Sequence, residues 1–268
     1  MGLIYVLGIK LAFILRFFAY RKKIIDSNLK NAFPKKEKSV LKKIKNQFYS
    51  YFGQLIVESI KLFNCSEDTI RKRHKFVNES QINTFLKQDK DVIIVLGHYC
   101  NWEWALLASS LNFDAEMIGI YKPLSSKFWN EQILNIRSQF GATLVSMKES
   151  VRYLLKTRKK ARVIGILTDQ TPSADELNYW INFLNQKTPV FLGAEKLANK
   201  LDCPIFFAHI MPLSRAKYEI KFELITEATN QFNEGEITRF HSQILENNIK
   251  RNPAYWLWSH RRWKHQQK

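Results

Sequence analysis

The sequence predicts an α/β protein with three layers, in which a mostly parallel central sheet is flanked by helices. Residues 91–96 give the first indication, because apolar residues without a break are typical of a strand covered on both faces. Similar runs alternate along the chain with segments of helical periodicity, as βαβ units do. The chain has 268 residues and no obvious flexible linker, which favours one core.

Five further strands and six helices are predicted from hydrophobic periodicity. The strands are residues 117–121, 143–145, 163–168, 204–211 and 218–225. The helices are residues 40–63, 103–111, 127–140, 149–157, 193–201 and 236–248. Residues 218–225 alternate between apolar and polar side chains, so we expect this strand to run antiparallel at one end of the sheet.

The N-terminal segment, residues 3–20, is apolar and aromatic but contains Lys10 and Arg16. Two basic residues make a simple membrane span doubtful, and no small-residue cleavage site indicates a removable signal peptide. The pattern favours a helix that lies in a membrane interface, and a buried core helix is the alternative. We therefore divide the chain into an anchor at residues 1–23 and a main domain at residues 24–268.

The net charge is +18, from 42 Lys and Arg residues against 24 acids, and most of the excess lies at the two ends. Such asymmetry indicates an anionic partner, unless the lysines are merely solvated. No helix-turn-helix, RRM or zinc pattern is present, so a membrane leaflet is favoured over nucleic acid. The residues expected at lipid headgroups are Arg21, Lys22, Lys23, Arg261, Arg262 and Lys264.

Ligands of open α/β sheets bind beyond the carboxyl ends of the strands, where His98 follows the strand at residues 91–96. Glu103 can reach His98 only if His98 lies in the turn before a helix and Glu103 in its first turn, because five residues on a continuous helix turn through about 500°. A carboxylate on one imidazole nitrogen would make the other a general base. The spacing alone is weak, since a histidine at a strand end is often simply hydrogen-bonded.

Residues 97–103, Gly-His-Tyr-Cys-Asn-Trp-Glu, resemble the His-x₄-Asp/Glu block of the glycerolipid and lipid A acyltransferases, in its lipid A secondary acyltransferase form. Other blocks resemble that family in the same order. They are Arg21 with residues 28–34, Tyr121-Lys122-Pro123, Arg137 with Gly141, Asp169-Gln170, residues 183–198 and residues 255–264.

The resemblance implies a glycerolipid acyltransferase-like fold, an acyltransferase domain at residues 24–268, and transfer from an acyl thioester to a hydroxyl of a lipid A precursor. The expected donor is acyl carrier protein or coenzyme A, the first being usual, with no cofactor and no metal. The expected location is the cytoplasmic face of a bacterial inner membrane. His98 would deprotonate the acceptor hydroxyl, Glu103 would orient His98, and no acyl-enzyme would form.

The resemblance also implies substrate-binding roles for Arg137, Asp169, Gln170, Tyr121 and Lys122. Arg137 would hold an oxyanion or a phosphate, or else pair with a helix carboxylate. Asp169 would position Arg137 or the donor, or else cap the next turn. Tyr121 and Lys122 would line the donor channel, or else close the sheet edge.

Three positions depart from the family pattern: Lys122 replaces an arginine, Asn185 replaces a glycine, and Cys100 stands where a glycine is frequent. Cys100 beside a His-Glu pair raises the alternative of a cysteine nucleophile, but a small side chain is all that the turn requires. The other cysteines, Cys65 and Cys203, are distant, which argues against a disulfide framework.

Two other functions stay open from the sequence. The acceptor could be a lysophospholipid, an aminolipid or a glycolipid, with the same mechanism. A non-enzymatic basic protein that binds membranes or nucleic acid is the more distant alternative. Acyl chain length and the acylated hydroxyl cannot be inferred from the sequence.

Overall fold

The protein is described by a computed structural model covering residues 2–265. Its helices are α1 (Gly2–Phe17), α2 (Lys22–Ala32), α3 (Lys38–Lys61), α4 (Glu67–Arg71), α5 (Ser80–Lys87), α6 (Trp102–Asn112), α7 (Lys127–Ser138), α8 (Ser150–Thr157), α9 (Gly193–Leu201) and α10 (Glu236–Arg251). Its strands are β1 (His74–Val77), β2 (Val92–Leu96), β3 (Glu116–Tyr121), β4 (Thr143–Ser146), β5 (Arg162–Leu167), β6 (Trp180–Phe183), β7 (Gln186–Pro189), β8 (Ile205–Ser214) and β9 (Lys217–Thr226).

Seven strands form one sheet in the order β1-β9-β8-β2-β5-β3-β4, and β6 and β7 form a separate antiparallel hairpin. Neighbouring strands of the sheet are parallel except β8 and β9. The predicted mostly parallel α/β fold is therefore confirmed. Residues 218–225 lie in its antiparallel strand β9, which is one strand in from the edge and not at the end, because β1 pairs outside it. Each predicted strand and helix is present, with ends shifted by a few residues.

Strand β2 lies at the centre of the sheet, and Val92, Ile93 and Val95 are fully buried. The connection from β2 to β3 passes through α6, whereas α9 connects β5 to β8 in the opposite direction across the sheet. Since such parallel crossovers are right-handed, α6 and α9 cover opposite faces. Burial on both faces explains why β2 is apolar without alternation.

Helix α1 packs along α3 at a close crossing. A Cβ added to Gly53 would lie 2.7 Å from the Ala12 nitrogen and from the Gly8 oxygen, so the two backbones meet only because no side chain intervenes. The outer face of α1 exposes Ile9, Phe13 and Phe17 at 64%, 66% and 73% of their surface.

No helix within residues 2–265 is both long and apolar enough to cross a membrane. The expected N-terminal helix is thus present, but nothing in the fold establishes it as an anchor. The division into residues 1–23 and 24–268 stays a prediction.

Candidate active site

His98 and Asp169 meet at the carboxyl edge of the sheet because β2 and β5 are paired in register, with Leu96 opposite Leu167. Asp169 Oδ1 lies 2.6 Å from His98 Nδ1, and the His98 backbone N–H donates to Asp169 Oδ2 at 2.9 Å. Both side chains are nearly enclosed, at 10% and 4% exposure. The two strand-end residues thus form a closely held histidine–carboxylate pair.

Asp169 is ionised despite its burial. Burial alone would raise its pKa, but the charge and hydrogen bonds of His98 and the Trp256 indole outweigh that effect and lower the pKa to about 2. Trp256 Nε1 donates to Asp169 Oδ2 at 2.8 Å. An ionised Asp169 accepts a hydrogen bond from His98 Nδ1–H, which leaves the lone pair of the neutral imidazole on Nε2.

His98 Nε2 lies 3.0 Å from Gln170 Nε2, where the side-chain amide can donate to it. The Trp102 ring lies edge-on to the imidazole, with ring centroids 4.9 Å apart. Gln170 therefore occupies the direction from which a hydroxyl would deliver its proton to Nε2. A substrate hydroxyl would replace this amide as the partner of the base.

Glu103 lies in the first turn of α6, as the spacing required, but it does not hydrogen-bond to His98. Arg137 donates from Nε to Oε2 at 2.8 Å and from Nη2 to Oε1 at 2.6 Å, a bidentate pair. The carboxylate on His98 Nδ1 is Asp169, so the expectation that Glu103 holds the imidazole is wrong. The reason is that Arg137 engages both oxygens of Glu103.

The Glu103–Arg137 pair is charged. Burial would raise the pKa of Glu103, but the charge and hydrogen bonds of Arg137, with a further contribution from the charge of His98, lower it overall. Burial likewise would lower the pKa of Arg137, and Glu103 more than compensates, so the pKa is raised. Glu103 accepts from Arg137 Nε and Nη2, and Nη1 makes no hydrogen bond to Glu103.

The charged pair stands where two cavities meet. One is a narrow apolar cavity between α6 and the sheet, whose wall includes Glu103 and Arg137. Its floor crosses Gly119 and Gly165, which are opposite each other on β3 and β5 and leave the sheet surface without side chains. The other is an open cleft of about 790 Å³ that contains His98, Gln170 and Arg137.

The predicted substrate-binding residues converge on this junction. Tyr121 lines both cavities, and the exposed Lys122 lines the rim of the cleft. Gln170 and Arg137 also line the cleft, whereas Asp169 is enclosed behind His98. The roles of Tyr121, Lys122, Gln170 and Arg137 toward substrate stay proposals. Asp169 binds His98 and Trp256, and Arg137 binds Glu103, so the expectation that Asp169 positions Arg137 is wrong.

Cys100 is fully buried with φ of 54°, in the left-handed region that favours glycine. This conformation accounts for the glycine that the family pattern has at this position. Burial raises the pKa of the Cys100 thiol well above its ordinary value, so the thiolate is disfavoured and the cysteine-nucleophile alternative loses support.

The predicted headgroup residues divide into two groups. Lys22, Lys23, Arg261 and Lys264 are exposed, and so is Arg21, although Arg21 Nη1 donates to the Ser259 oxygen at 2.9 Å. Arg262 is only 1% exposed and donates to the Pro189 oxygen, so its assignment to a headgroup surface is wrong. The C-terminal segment, residues 255–265, buries Trp256 and Trp258 and with them Arg262, whose pKa burial lowers to about 10.

Trp256 is the site residue that the sequence did not identify. The C-terminal segment crosses behind His98, where Leu257 N–H donates to the His98 oxygen and Cys100 N–H to the Tyr255 oxygen. Asn28 Nδ2 binds the Trp258 and His260 oxygens and so fixes the segment from α2. The three tryptophans within residues 256–263 could have indicated this contact, because a buried indole N–H requires a hydrogen-bond acceptor.

Within residues 2–265, no cluster of three or more His, Cys, Asp or Glu side chains is placed to hold a metal ion. None of the curated proteins compared with the chain matches it. The sequence model of the family described as bacterial lipid A biosynthesis acyltransferase matches residues 3–265, nearly the whole chain. The match spans the His98–Asp169 pair, the Glu103–Arg137 pair and the C-terminal segment behind them. The chain belongs to the bacterial lipid A biosynthesis acyltransferases.

Proposed function

We propose that this acyltransferase moves a fatty acyl chain from acyl carrier protein to a hydroxyl of a lipid A precursor, at the cytoplasmic face of the inner membrane. The observation that supports it most is the junction at Arg137, where an apolar cavity meets a wide cleft beside His98. The acyl chain would occupy the apolar cavity and the acceptor the cleft. The reacting carbonyl would then lie at the junction.

His98 acts as the base. Its Nε2 takes the proton of the acceptor hydroxyl while the hydroxyl oxygen attacks the thioester carbonyl carbon, and Asp169 stabilises the imidazolium that forms. The C–S bond then breaks, the thiolate leaves and takes the proton from His98, and the ester remains on the acceptor. Atoms and charges balance without a covalent enzyme intermediate.

Arg137 stabilises the negative charge on the carbonyl oxygen. Its Nη1 is the guanidinium nitrogen that Glu103 does not use, and among the described side chains none accepts a hydrogen bond from it. Glu103 fixes the guanidinium plane, because a bidentate pair restricts both position and rotation. A preorganised donor of this kind is effective because it needs no rearrangement as charge develops.

The location at a membrane is supported by α1. Its outer face carries Phe13, Phe17 and the adjoining Phe18, which is 74% exposed, beside the exposed Lys10 and Arg16. A helix with apolar rings and flanking cations on one side suits the boundary between headgroups and acyl chains.

The test is an assay with purified protein, a lipid A precursor and a dodecanoyl group on either acyl carrier protein or coenzyme A, with mass spectrometry of the product. We expect the precursor to gain one acyl group, faster from the carrier protein. His98→Ala should reduce transfer to background, and His209→Ala, a histidine on β8, should not. Acylation of a lysophospholipid or aminolipid but not of the precursor would contradict the acceptor assignment.

A further inference from the structure

The cleft has an exposed apolar rim that the proposed chemistry does not use. It consists of the loop from β3 into α7 and the turn from β4 into α8, and we call it the cleft-rim surface. Its exposed apolar side chains are Leu124 (47%), Phe128 (61%), Trp129 (56%), Met147 (38%), Val151 (40%) and Leu155 (49%). Leu124, Met147 and Val151 line the cleft together. Exposed apolar side chains grouped at the mouth of a cleft are typical of an interaction site.

Helix α7 lies entirely at the surface of the protein. None of its twelve residues is buried, although it carries two large aromatic rings in its first turn. Phe128 and Trp129 contact each other, with ring centroids 5.3 Å apart, and both face away from the core. The inner side of α7, at Ile133 and Arg137, lines the cleft.

The same surface is cationic. Residues 122–131 and 147–156 contain two acids, Glu131 and Glu149, and five basic residues, all of them exposed. The basic residues are Lys122, Lys127, Lys148, Arg152 and Lys156. Aromatic rings interspersed with lysines complement a leaflet of anionic phospholipid, since the rings enter the interface and the cations meet the headgroups.

Topology places this surface and α1 on opposite sides of His98. His98 follows β2, with β3 and β4 on one side of that strand and β8 on the other. On the β8 side, α1 covers the turn after β8: Tyr5 and Ile9 line a pocket with Leu213, and Arg215 stacks on Tyr5. Both surfaces therefore lie at the carboxyl ends of the strands. Strands β8 and β4 are four steps apart in the sheet, or about 19 Å at a strand spacing of about 4.8 Å.

We propose that the cleft-rim surface is a second membrane-contacting surface, which docks on anionic phospholipid and, together with α1, sets the mouth of the cleft against the leaflet. The purpose of such docking rests on the proposed function, because an acceptor that carries acyl chains must enter the cleft from a membrane. Docking itself requires no acceptor and no turnover. A two-sided attachment would hold His98 facing the lipid, which one helix alone cannot do.

The first experiment measures partitioning of the full chain onto phosphatidylethanolamine–phosphatidylglycerol vesicles and onto phosphatidylcholine vesicles. Phe128→Ser combined with Trp129→Ser should lower the partition coefficient about tenfold or more on both, because apolar insertion does not depend on headgroup charge. Lys127→Glu combined with Lys148→Glu should lower it only on the anionic vesicles. With detergent-dispersed substrates, Phe128→Ser with Trp129→Ser should retain kcat, which shows that the fold persists.

The matched control is Phe63→Ser. Phe63 is 55% exposed in the turn before α4, the helix that leads into β1 at the opposite edge of the sheet. We expect this change to leave partitioning as in the wild type. Unchanged partitioning of the Phe128→Ser, Trp129→Ser protein, or an equal loss with Phe63→Ser, would overturn the proposal.

The second experiment detects the contact itself with phospholipids brominated near the headgroup, which quench nearby indoles. Wild-type fluorescence should be quenched more than that of Trp129→Phe, which keeps an apolar ring. Equal quenching would contradict insertion of Trp129. A Phe128→Ser, Trp129→Ser protein that binds vesicles normally but shows a raised KM for acyl carrier protein would make this surface a protein-docking site and would likewise refute the proposal.

Discussion

Asp169 accepts three hydrogen bonds, from the backbone and the imidazole of His98 and from the indole of Trp256. These bonds fix the carboxylate plane and, with it, the ring orientation of His98. The reactivity of the base therefore depends on residues from β2, β5 and the C-terminal segment.

Asp169→Asn should lower kcat by about three to four orders of magnitude, because an amide cannot stabilise the imidazolium and can favour the wrong tautomer of His98. The protein should remain folded, as followed by circular dichroism. Cys100→Ala, in the same turn as His98, serves as the neighbouring control and should keep most of the activity. A nearly active Asp169→Asn enzyme would remove Asp169 from the mechanism.

The sequence identified His98, Glu103, Arg137, Asp169 and Gln170, but not how they pair. Spacing shows that Glu103 can approach His98, and it contains no information about Arg137, which is 34 residues away on another helix. The order β2-β5 that brings Asp169 to His98 is likewise a long-range property of the sheet. With Glu103 and Asp169 both close to the base, only the folded arrangement decides which carboxylate binds the ring.

Arg137→Lys should reduce kcat about 10²-fold although the charge is kept, since a lysine cannot bind Glu103 through two parallel bonds and still present a donor to the carbonyl oxygen. KM for the acceptor should change little if Arg137 acts mainly in the transition state. Arg152→Lys, an exposed arginine on α8, is the matched control. A loss confined to KM would instead indicate a phosphate-binding role.

At the scale of elements, the first turn of α6 is positioned by α3. Asn101 caps α6, accepting from the Trp104 N–H at 3.1 Å, and its amide donates to Glu58 Oε2 at 2.6 Å. Tyr218 donates to the same oxygen at 2.7 Å, and Trp104 Nε1 to the Glu58 backbone oxygen. Glu58 on α3 thereby joins β9 to the helix that carries Glu103.

Glu58→Gln should destabilise the protein by about 1–3 kcal/mol, because one amide oxygen cannot accept all the bonds that two carboxylate oxygens do. Burial raises the pKa of Glu58 above its ordinary 4.5 despite its hydrogen-bond donors. The folded state therefore holds this proton more tightly than the unfolded state, and the stability so gained is present at low pH and is lost as pH rises through the raised pKa.

The difference in free energy of unfolding between wild type and Glu58→Gln should accordingly be wider at about pH 5 than at about pH 8, as urea titrations at both values can measure. Glu67→Gln, at an exposed i,i+4 pair on α4, should change stability by less than about 0.5 kcal/mol at either pH. A difference in free energy of unfolding that is larger at pH 8 than at pH 5 would mean that the folded state stabilises Glu58 as an anion.

At the scale of the whole molecule, the central strands were predictable because burial on both faces leaves an unbroken apolar run. Strand β1 was missed because its four residues, His74–Val77, form too short a run to show a period, and β1 is an edge strand. The hairpin β6–β7 was missed for the same reason, with Leu184 and Asn185 at positive φ in its turn. The order of strands in the sheet, such as β9 between β1 and β8, depends on contacts between distant residues and leaves no pattern in the local sequence.

Apolar exposure is also a property of the whole molecule, and the outer face of α1 carries several of the most exposed apolar side chains. Removing α1 would uncover the face of α3 that meets it at Gly53. A deletion would therefore change both membrane binding and the packing of the fold, and the two effects could not be separated. Substitutions on the outer face keep the helix in place. For the same reason, Arg21 is left intact, since it donates to the Ser259 oxygen behind the site.

Phe13→Ser combined with Phe17→Ser and Phe18→Ser should weaken binding to both neutral and anionic vesicles at every salt concentration, because hydrophobic insertion is insensitive to screening. Lys22→Glu combined with Lys23→Glu should weaken binding only to anionic vesicles, and only at low salt, since headgroup attraction is screened over about 8 Å at physiological ionic strength. Co-sedimentation across a salt series separates the two contributions. If the triple serine protein sediments with neutral vesicles as well as the wild type does, the outer face of α1 is not a membrane contact, because cations cannot account for binding to neutral lipid.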